Sequence, residues 1–273
     1  MKHGGCGSGH DEPQDGAPRD AATVRLAPTT PSVRGVRTSL MFDEGLHRAL
    51  HALGLSVRIE LDIDAWTRFI RSTEWPVVNS SADPAYHDFA AGEVLWLRLS
   101  HGSETVATQV FRMITTDDYV GMIRDHSLFF GTNPSGFTDF RMLGAAGVPV
   151  IGGLVAQLSG LYIAPRWRRA RTADGTRLVA AWARLSHSFT LRSLNADWSV
   201  SLLEARVASP RMTEDLYGYP HAIELFETDI PYLGRHERVT LVWMSAGELA
   251  RSMASRSRSA RRTADRRPPS VAA

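Results

Sequence analysis

Apolar and polar residues alternate at period two along two neighbouring runs, Glu93–Ser100 (EVLWLRLS) and Glu104–Thr115 (ETVATQVFRMIT), joined by His101-Gly102-Ser103. Successive side chains on a strand face opposite ways, so this pattern predicts an antiparallel hairpin with one face turned to a core. Val57–Asp62 alternates well enough for another strand. Gly153–Ile163 and Trp198–Val207 are more continuously apolar, which predicts strands buried within a sheet. Ala222–Asp229 and Arg238–Met244 read as two last strands, separated by a turn that begins at Pro231 and includes Gly234.

Helical spacing fills several of the intervals. Ser39 to Leu53 predicts a short helix ended by Gly54, and Asp64 caps a helix that runs through Trp75 and stops at Pro76. A longer helix runs from Gly175 to about Leu194 and brings Leu178, Trp182, Leu185 and Phe189 to one face. Ser209 and Pro210 open a short helix through Tyr217 that closes at Gly218. Asp117–Phe130 reads as a helix or an irregular segment, and Val77–Gly92 and Gly131–Met142 read as loops. The order predicts an α/β (α+β) fold, a largely antiparallel mixed sheet covered by helices in a single domain over residues 37–249.

Residues 1–36 lack aromatics and are rich in Gly, Pro, Asp, Thr and Arg, so they are expected to form a disordered leader. Residues 250–273 are expected to be a disordered Arg/Ser-rich tail, whose seven arginines against Asp265 carry +6. The whole chain carries +2, which leaves −4 for residues 1–249. A mildly acidic body argues against a nucleic-acid-binding core, and a polyanion would find only the tail. Cys6 is the single cysteine, which excludes an internal disulfide and fits a reducing, cytoplasmic setting. Leu143–Ile163 is apolar enough to raise the question of a membrane span, but Pro149 and the glycines at 144, 147, 152, 153 and 160 break it into a turn and a strand. His47 and His51 share a helical face without a third ligand nearby, so no metal site is expected. His187 stands mid-helix in a chain without a GxSxG elbow, which excludes a hydrolase triad of that kind.

The stretch with the clearest chemical pattern is Gly152–Trp182: a strand, an arginine-rich turn closed by Asp174-Gly175, then a helix. Free amides and the positive end of a helix dipole suit a phosphate at such a junction. A solvated basic turn is the plain alternative.

On these residues the chain resembles the GNAT superfamily of acyl-CoA-dependent N-acyltransferases over about residues 55–245. The family's fourth strand leads into a [Gln/Arg]-x-x-Gly-x-[Gly/Ala] loop at a helix start. Here Arg168-Arg169-Ala170-Arg171-Thr172-Ala173 follows Pro165, with Arg168 and Ala173 at the end positions and Arg171 where the family prefers glycine. Leu216-Tyr217-Gly218-Tyr219 resembles the family's tyrosine-bearing segment, and several stretches resemble a little-studied bacterial group within it. The resemblance implies acetyl-CoA or another acyl-CoA as co-substrate. Leu161 and Ile163 would border its pantetheine arm, between splayed fourth and fifth strands. Arg168, Arg169, Ala170, Arg171, Thr172 and Ala173 would hold its diphosphate. Tyr217 would protonate the leaving thiolate, with Glu204 the nearest carboxylate for a base. The acceptor would be an amine of a small molecule or peptide. A GNAT-fold protein that binds an acyl-CoA or another ligand without catalysis is the alternative, and so is a scaffold whose tail docks on a polyanion.

Overall fold

Asp62 and Gly54 set the first boundaries of the fold. Asp62 Oδ1 accepts from the Ala65 amide at 2.8 Å and starts a helix, and Gly54, at φ 71°, turns the chain out of the one before. The computed structural model describes residues 44–131, 137–230 and 233–252. The leader 1–36 with Cys6, the Ser39 helix start, Pro231 and the tail from 253 onward lie outside the described residues. In chain order come α1 (Glu44–His51), β1 (Leu55–Glu60), α2 (Ile63–Arg71), β2 (Val94–His101) and β3 (Glu104–Thr116). Two short helices follow, α3 (Tyr119–Arg124) and α4 (Ser127–Phe130), then β4 (Thr138–Met142), β5 (Gly153–Ile163), α5 (Leu178–Arg192) and β6 (Trp198–Glu204). A π-helical segment, Arg211–Tyr217, leads to β7 (His221–Ile230) and β8 (Arg235–Ser245), and a last helix spans 246–252.

The strands form one sheet in the order β1-β2-β3-β5-β6-β8-β7-β4. Every neighbouring pair is antiparallel except β5 and β6. This is the mixed, largely antiparallel sheet flanked by helices that the pattern predicts. On one face α1 and α5 cover Leu97, Leu99, Phe111, Ala156 and Leu158. On the other, α3 and α4 cover Val155, Val200, Phe226 and Leu241, and α2 packs beside them through Trp66 and Ile70 onto Trp96 and Val110.

Several expectations need correction. Asp62, two residues earlier than Asp64, caps α2, which ends at Arg71 rather than Trp75. Thr138–Met142, expected as loop, is an edge strand against β7. Asp139 at φ 51° and a register shift between Thr138 and Arg141 erase the alternation that marks a strand. The segment opened by Ser209 winds as a π-helix, with the Ser209 carbonyl rather than its hydroxyl accepting from Met212 and Thr213. α5 begins at Leu178, three residues later than Gly175, because the Thr172 amide bonds the Thr176 carbonyl and closes the turn on itself. The apolar run 143–163 folds as a short 3-10 turn and β5, and no helix among the described residues is long and apolar enough to cross a membrane.

Two features fix the centre of the sheet. Between the pairs Thr108↔Tyr162 and Val110↔Ser159, Gly160 and Leu161 of β5 oppose Gln109 alone, a β-bulge. Gly160 sits at φ 59°, and a Cβ there would lie 2.3 Å from the buried Trp66 ring. The second is Arg112 of β3, 8 % exposed, which donates to Glu93 Oε1 at 3.1 Å and to the carbonyls of Ser81 and Leu128 at 3.0 and 2.9 Å. One guanidinium thus ties the loop after α2, the start of β2 and α4 to the sheet. His87 lies 3.4 Å from it, and burial, with the Arg112 charge second, holds its imidazole down at about 4.

Gly160→Ala is expected to lower stability by about 2 kcal/mol or more, from left-handed strain and the clash with Trp66, as read by urea denaturation. The unfolded chain protonates His87 near 6.5 while the folded state keeps it neutral to about pH 4, so the unfolded state binds more protons in between. Stability should therefore fall as pH drops from 6.5 towards 4, and His87→Gln should flatten that slope in urea midpoints taken across the window.

Candidate active site

β5 and β6 pair in parallel at only three positions, Val155↔Trp198, Ala156↔Ser199 and Gln157↔Val200, and then part. Ser201 Oγ, donating to the Leu158 carbonyl at 2.8 Å, is the tie at the point of separation. Each strand keeps its other neighbour, β5 with β3 through Ile163 and β6 with β8 through Glu204, so neither can close the gap. A cavity of 280 Å³ occupies it. Leu158, Ala183, His187, Tyr217 and Tyr219 line it on the α5 face, and Asn79, Phe129, Phe137, Phe226 and Val239 on the α3–α4 face. The cavity therefore runs through the sheet from one face to the other.

A chain of polar groups stiffens the α5 side. His187 Nε2 lies 2.7 Å from the Tyr217 carbonyl, which can only accept, so Nε2 carries the proton and Nδ1 is the acceptor in the neutral ring. Ser199 Oγ then donates to Nδ1 at 3.3 Å and accepts from the Tyr219 hydroxyl at 3.5 Å. The Tyr219 ring stands edge-on to the imidazole, with centroids 4.7 Å apart. Burial pushes the phenols of both Tyr217 and Tyr219 up, which keeps them protonated across the neutral range. The Tyr217 hydroxyl, unlike that of Tyr219, makes no hydrogen bond among the described residues. Ser159 Oγ, on the cavity wall, and Gln157 Oε1, beside the split, are buried and unpartnered among them.

Of the residues singled out from sequence, Tyr217, Glu204 and Leu161 line this cavity. Glu204 Oε2 is held by Arg206 at 2.7 Å and Arg235 at 3.1 Å, and the Arg206 guanidinium lies 4.3 Å over the Trp75 ring at the cavity wall. Ile163 is buried in the α5-side core, and its carbonyl accepts from Arg168 Nε at 3.0 Å. Residues 168–173 lie outside the cavity lining. The amides of Arg168, Ala170 and Thr172 donate to Pro165, Trp167 and Thr176, and Arg168 also pairs with Glu74. Arg171 Nη1 bonds the Gly175 carbonyl at 2.6 Å. The amides of Arg169, Arg171 and Ala173 make no hydrogen bond among the described residues. Arg177, the N-cap of α5, makes no side-chain cap bond, and the exposed guanidiniums of Arg169 and Arg177 form no ion pair among the described residues.

Sequence reasoning missed Ser199, named Tyr219 only as the aromatic beside Tyr217, and set His187 aside. Tyr219 sits two residues from the tyrosine it did pick, and only the fold shows that one phenol is bonded to Ser199 while the other is open.

No family model matches this chain, and no curated protein matches it. Among solved structures it is similar to a Drosophila melanogaster polyamine N-acetyltransferase at 11% identity and TM-score 0.38, over 70% of this chain and 100% of that one. It is similar to an aminoglycoside N(6')-acetyltransferase from Legionella pneumophila at 7% identity and TM-score 0.40, over 73% and 96%. A spermidine N-acetyltransferase from Vibrio cholerae, in complex with CoA and spermine, matches at 12% identity and TM-score 0.38, over 72% and 99%.

His187→Leu removes the donor to the Tyr217 carbonyl and the acceptor of the Ser199 O–H. It is expected to cost about 1–3 kcal/mol in chemical denaturation, the penalty of buried groups left without partners.

Proposed function

We infer that this chain is a GNAT-like N-acyltransferase that moves an acyl group from an acyl-CoA to an amine. The observation that carries this reading is the parting of β5 and β6 around a cavity that runs through the sheet. Two substrates can meet there from opposite faces. The groups for a CoA diphosphate are the uncapped start of α5, the amides of Arg169, Arg171 and Ala173, and the guanidiniums of Arg169 and Arg177. In this reading the thioester arm passes Leu161 on the α5 side, and the buried Ser159 hydroxyl donates to the thioester oxygen.

The reaction forms a C–N bond as a C–S bond breaks; the attacking nitrogen gives its proton to solvent water, and the thiolate takes one from a protein acid that water then reprotonates. Tyr217 is the group for the second proton: its phenol faces the cavity protonated and its backbone is pinned by His187. Glu204 is the one carboxylate on the described cavity walls, but two guanidiniums share its oxygen. It is assigned as an orienting anion, and the amine enters as its free base. The engagement of Glu204 and the arginine at position 171 favour a second reading, a protein that binds acyl-CoA without turning it over.

An acyl-CoA at about a hundred times its Kd should stabilise the fold by about 2.7 kcal/mol and raise the thermal midpoint. A midpoint unmoved by every acyl-CoA would sink both readings. Thiol release with an amine panel separates them: the enzyme releases CoA faster as pH rises from 7 to 9, following the free amine, and Tyr217→Phe lowers kcat about a hundredfold with acyl-CoA affinity kept. No release with any amine leaves the binder.

A further inference from the structure

The two ends of the cavity differ in chemistry. On the α5 face the walls offer hydroxyls and an imidazole. On the opposite face they are Phe129, Phe137, Phe226, Ile230 and Val239, four of which are 6 % exposed or less, beside one polar residue, Asn79, whose Oδ1 is taken by the Ser81 amide and hydroxyl. The phenylalanines pack edge to face, Phe129 against Phe137 at 4.8 Å and against Phe226 at 5.9 Å, which sets a rigid apolar wall. Among the described lining residues only Glu204 and Arg206 are charged, and Glu204 is bonded to Arg206 and Arg235. A second ammonium on a polycationic amine would meet no free anion there, and burying an unpaired charge is strongly unfavourable.

We propose that the α3–α4 half of the cavity holds an apolar chain, aliphatic or aromatic, carried either by the acyl group or by the acceptor amine. The proposal rests on the acyltransferase reading for the source of the chain, not for the apolar character of the wall. It requires affinity to climb with chain length, about fourfold for each methylene fully buried.

The test is isothermal titration of the full chain with CoA, then acetyl-, butanoyl-, hexanoyl- and octanoyl-CoA. A second arm titrates butylamine, hexylamine, octylamine, phenethylamine and a linear triamine, with and without CoA. A rise along the thioesters assigns the chain to the acyl group, and a rise along the monoamines assigns it to the acceptor. A rise along the amines without any binding of CoA keeps the apolar site and overturns the acyltransferase reading. Firm CoA binding with no gain from chain length in either arm, or tighter binding of the triamine than of octylamine, overturns the proposal and leaves that reading standing. No binding in either arm overturns both. Phe137→Asp, at a half-buried wall position, should erase the gain per methylene; a chain-length gain that survives it also overturns the proposal.

Discussion

Two strands that run side by side for three residues and then separate are the constraint on which this molecule depends. Parallel neighbours in a twisted sheet share evenly spaced, slanted hydrogen bonds, and closing the ladder further would satisfy more backbone. Each strand is instead held by its outer partner, β5 by β3 and β6 by β8, along almost its whole length. The bulge at Gly160 belongs to the same device. It lets β5 follow β3 while Gln109 Nε2 and Thr108 Oγ1 satisfy the carbonyls of Ser159 and Gly160. Trp66 fills the space that a side chain at 160 would need, so the bulge and the α2 packing fix each other.

The walls of the opening are held by polar interactions of two kinds. Arg112 reaches three segments at once through charge-assisted contacts, of which those to the Ser81 and Leu128 carbonyls are buried. Gln157 extends that network by donating to Ser81 Oγ at 2.8 Å, directly beside the point where the strands part. On the other face the His187–Ser199–Tyr219 chain joins α5, β6 and the start of β7. The last helix is locked in its own way, by a capping box in which Ser245 Oγ receives the Glu248 amide and the Glu248 carboxylate receives the Ser245 amide at 2.9 Å. The His221 contact, foremost, and the Ser245 amide hold that carboxyl down at about 2.

The two charged residues on the described cavity wall, Glu204 and Arg206, pair with each other. Glu204, Arg206 and Arg235 form one cluster, capped by the Trp75 ring. With these groups mutually engaged, the interior is left mainly to aromatic and aliphatic side chains with Asn79 on one face and to hydroxyls and the His187 imidazole on the other. Selectivity in such a cavity comes from shape and desolvation more than from charge pairing.

The sequence by itself determined the strands and helices whose periodicity is strong: the β2–β3 hairpin, β5, the apolar stripe of α5 and the last two strands. Burial imposes a period that composition makes visible. Boundaries set by one hydrogen bond, such as the Asp62 cap and the start of α5, were displaced by two or three residues, and β4 was invisible because its irregular backbone has no period. Tyr217 stood out through the motif around it, Glu204 as the nearest carboxylate and Leu161 by its place on a strand; that all three line one cavity is a fact of the fold. Only the tertiary structure decided that β5 and β6 separate, that Ser159 and Tyr219 share their cavity, and that Glu204 meets two arginines. Those facts join residues dozens of positions apart, and no local pattern encodes which carboxylate a distant guanidinium will reach.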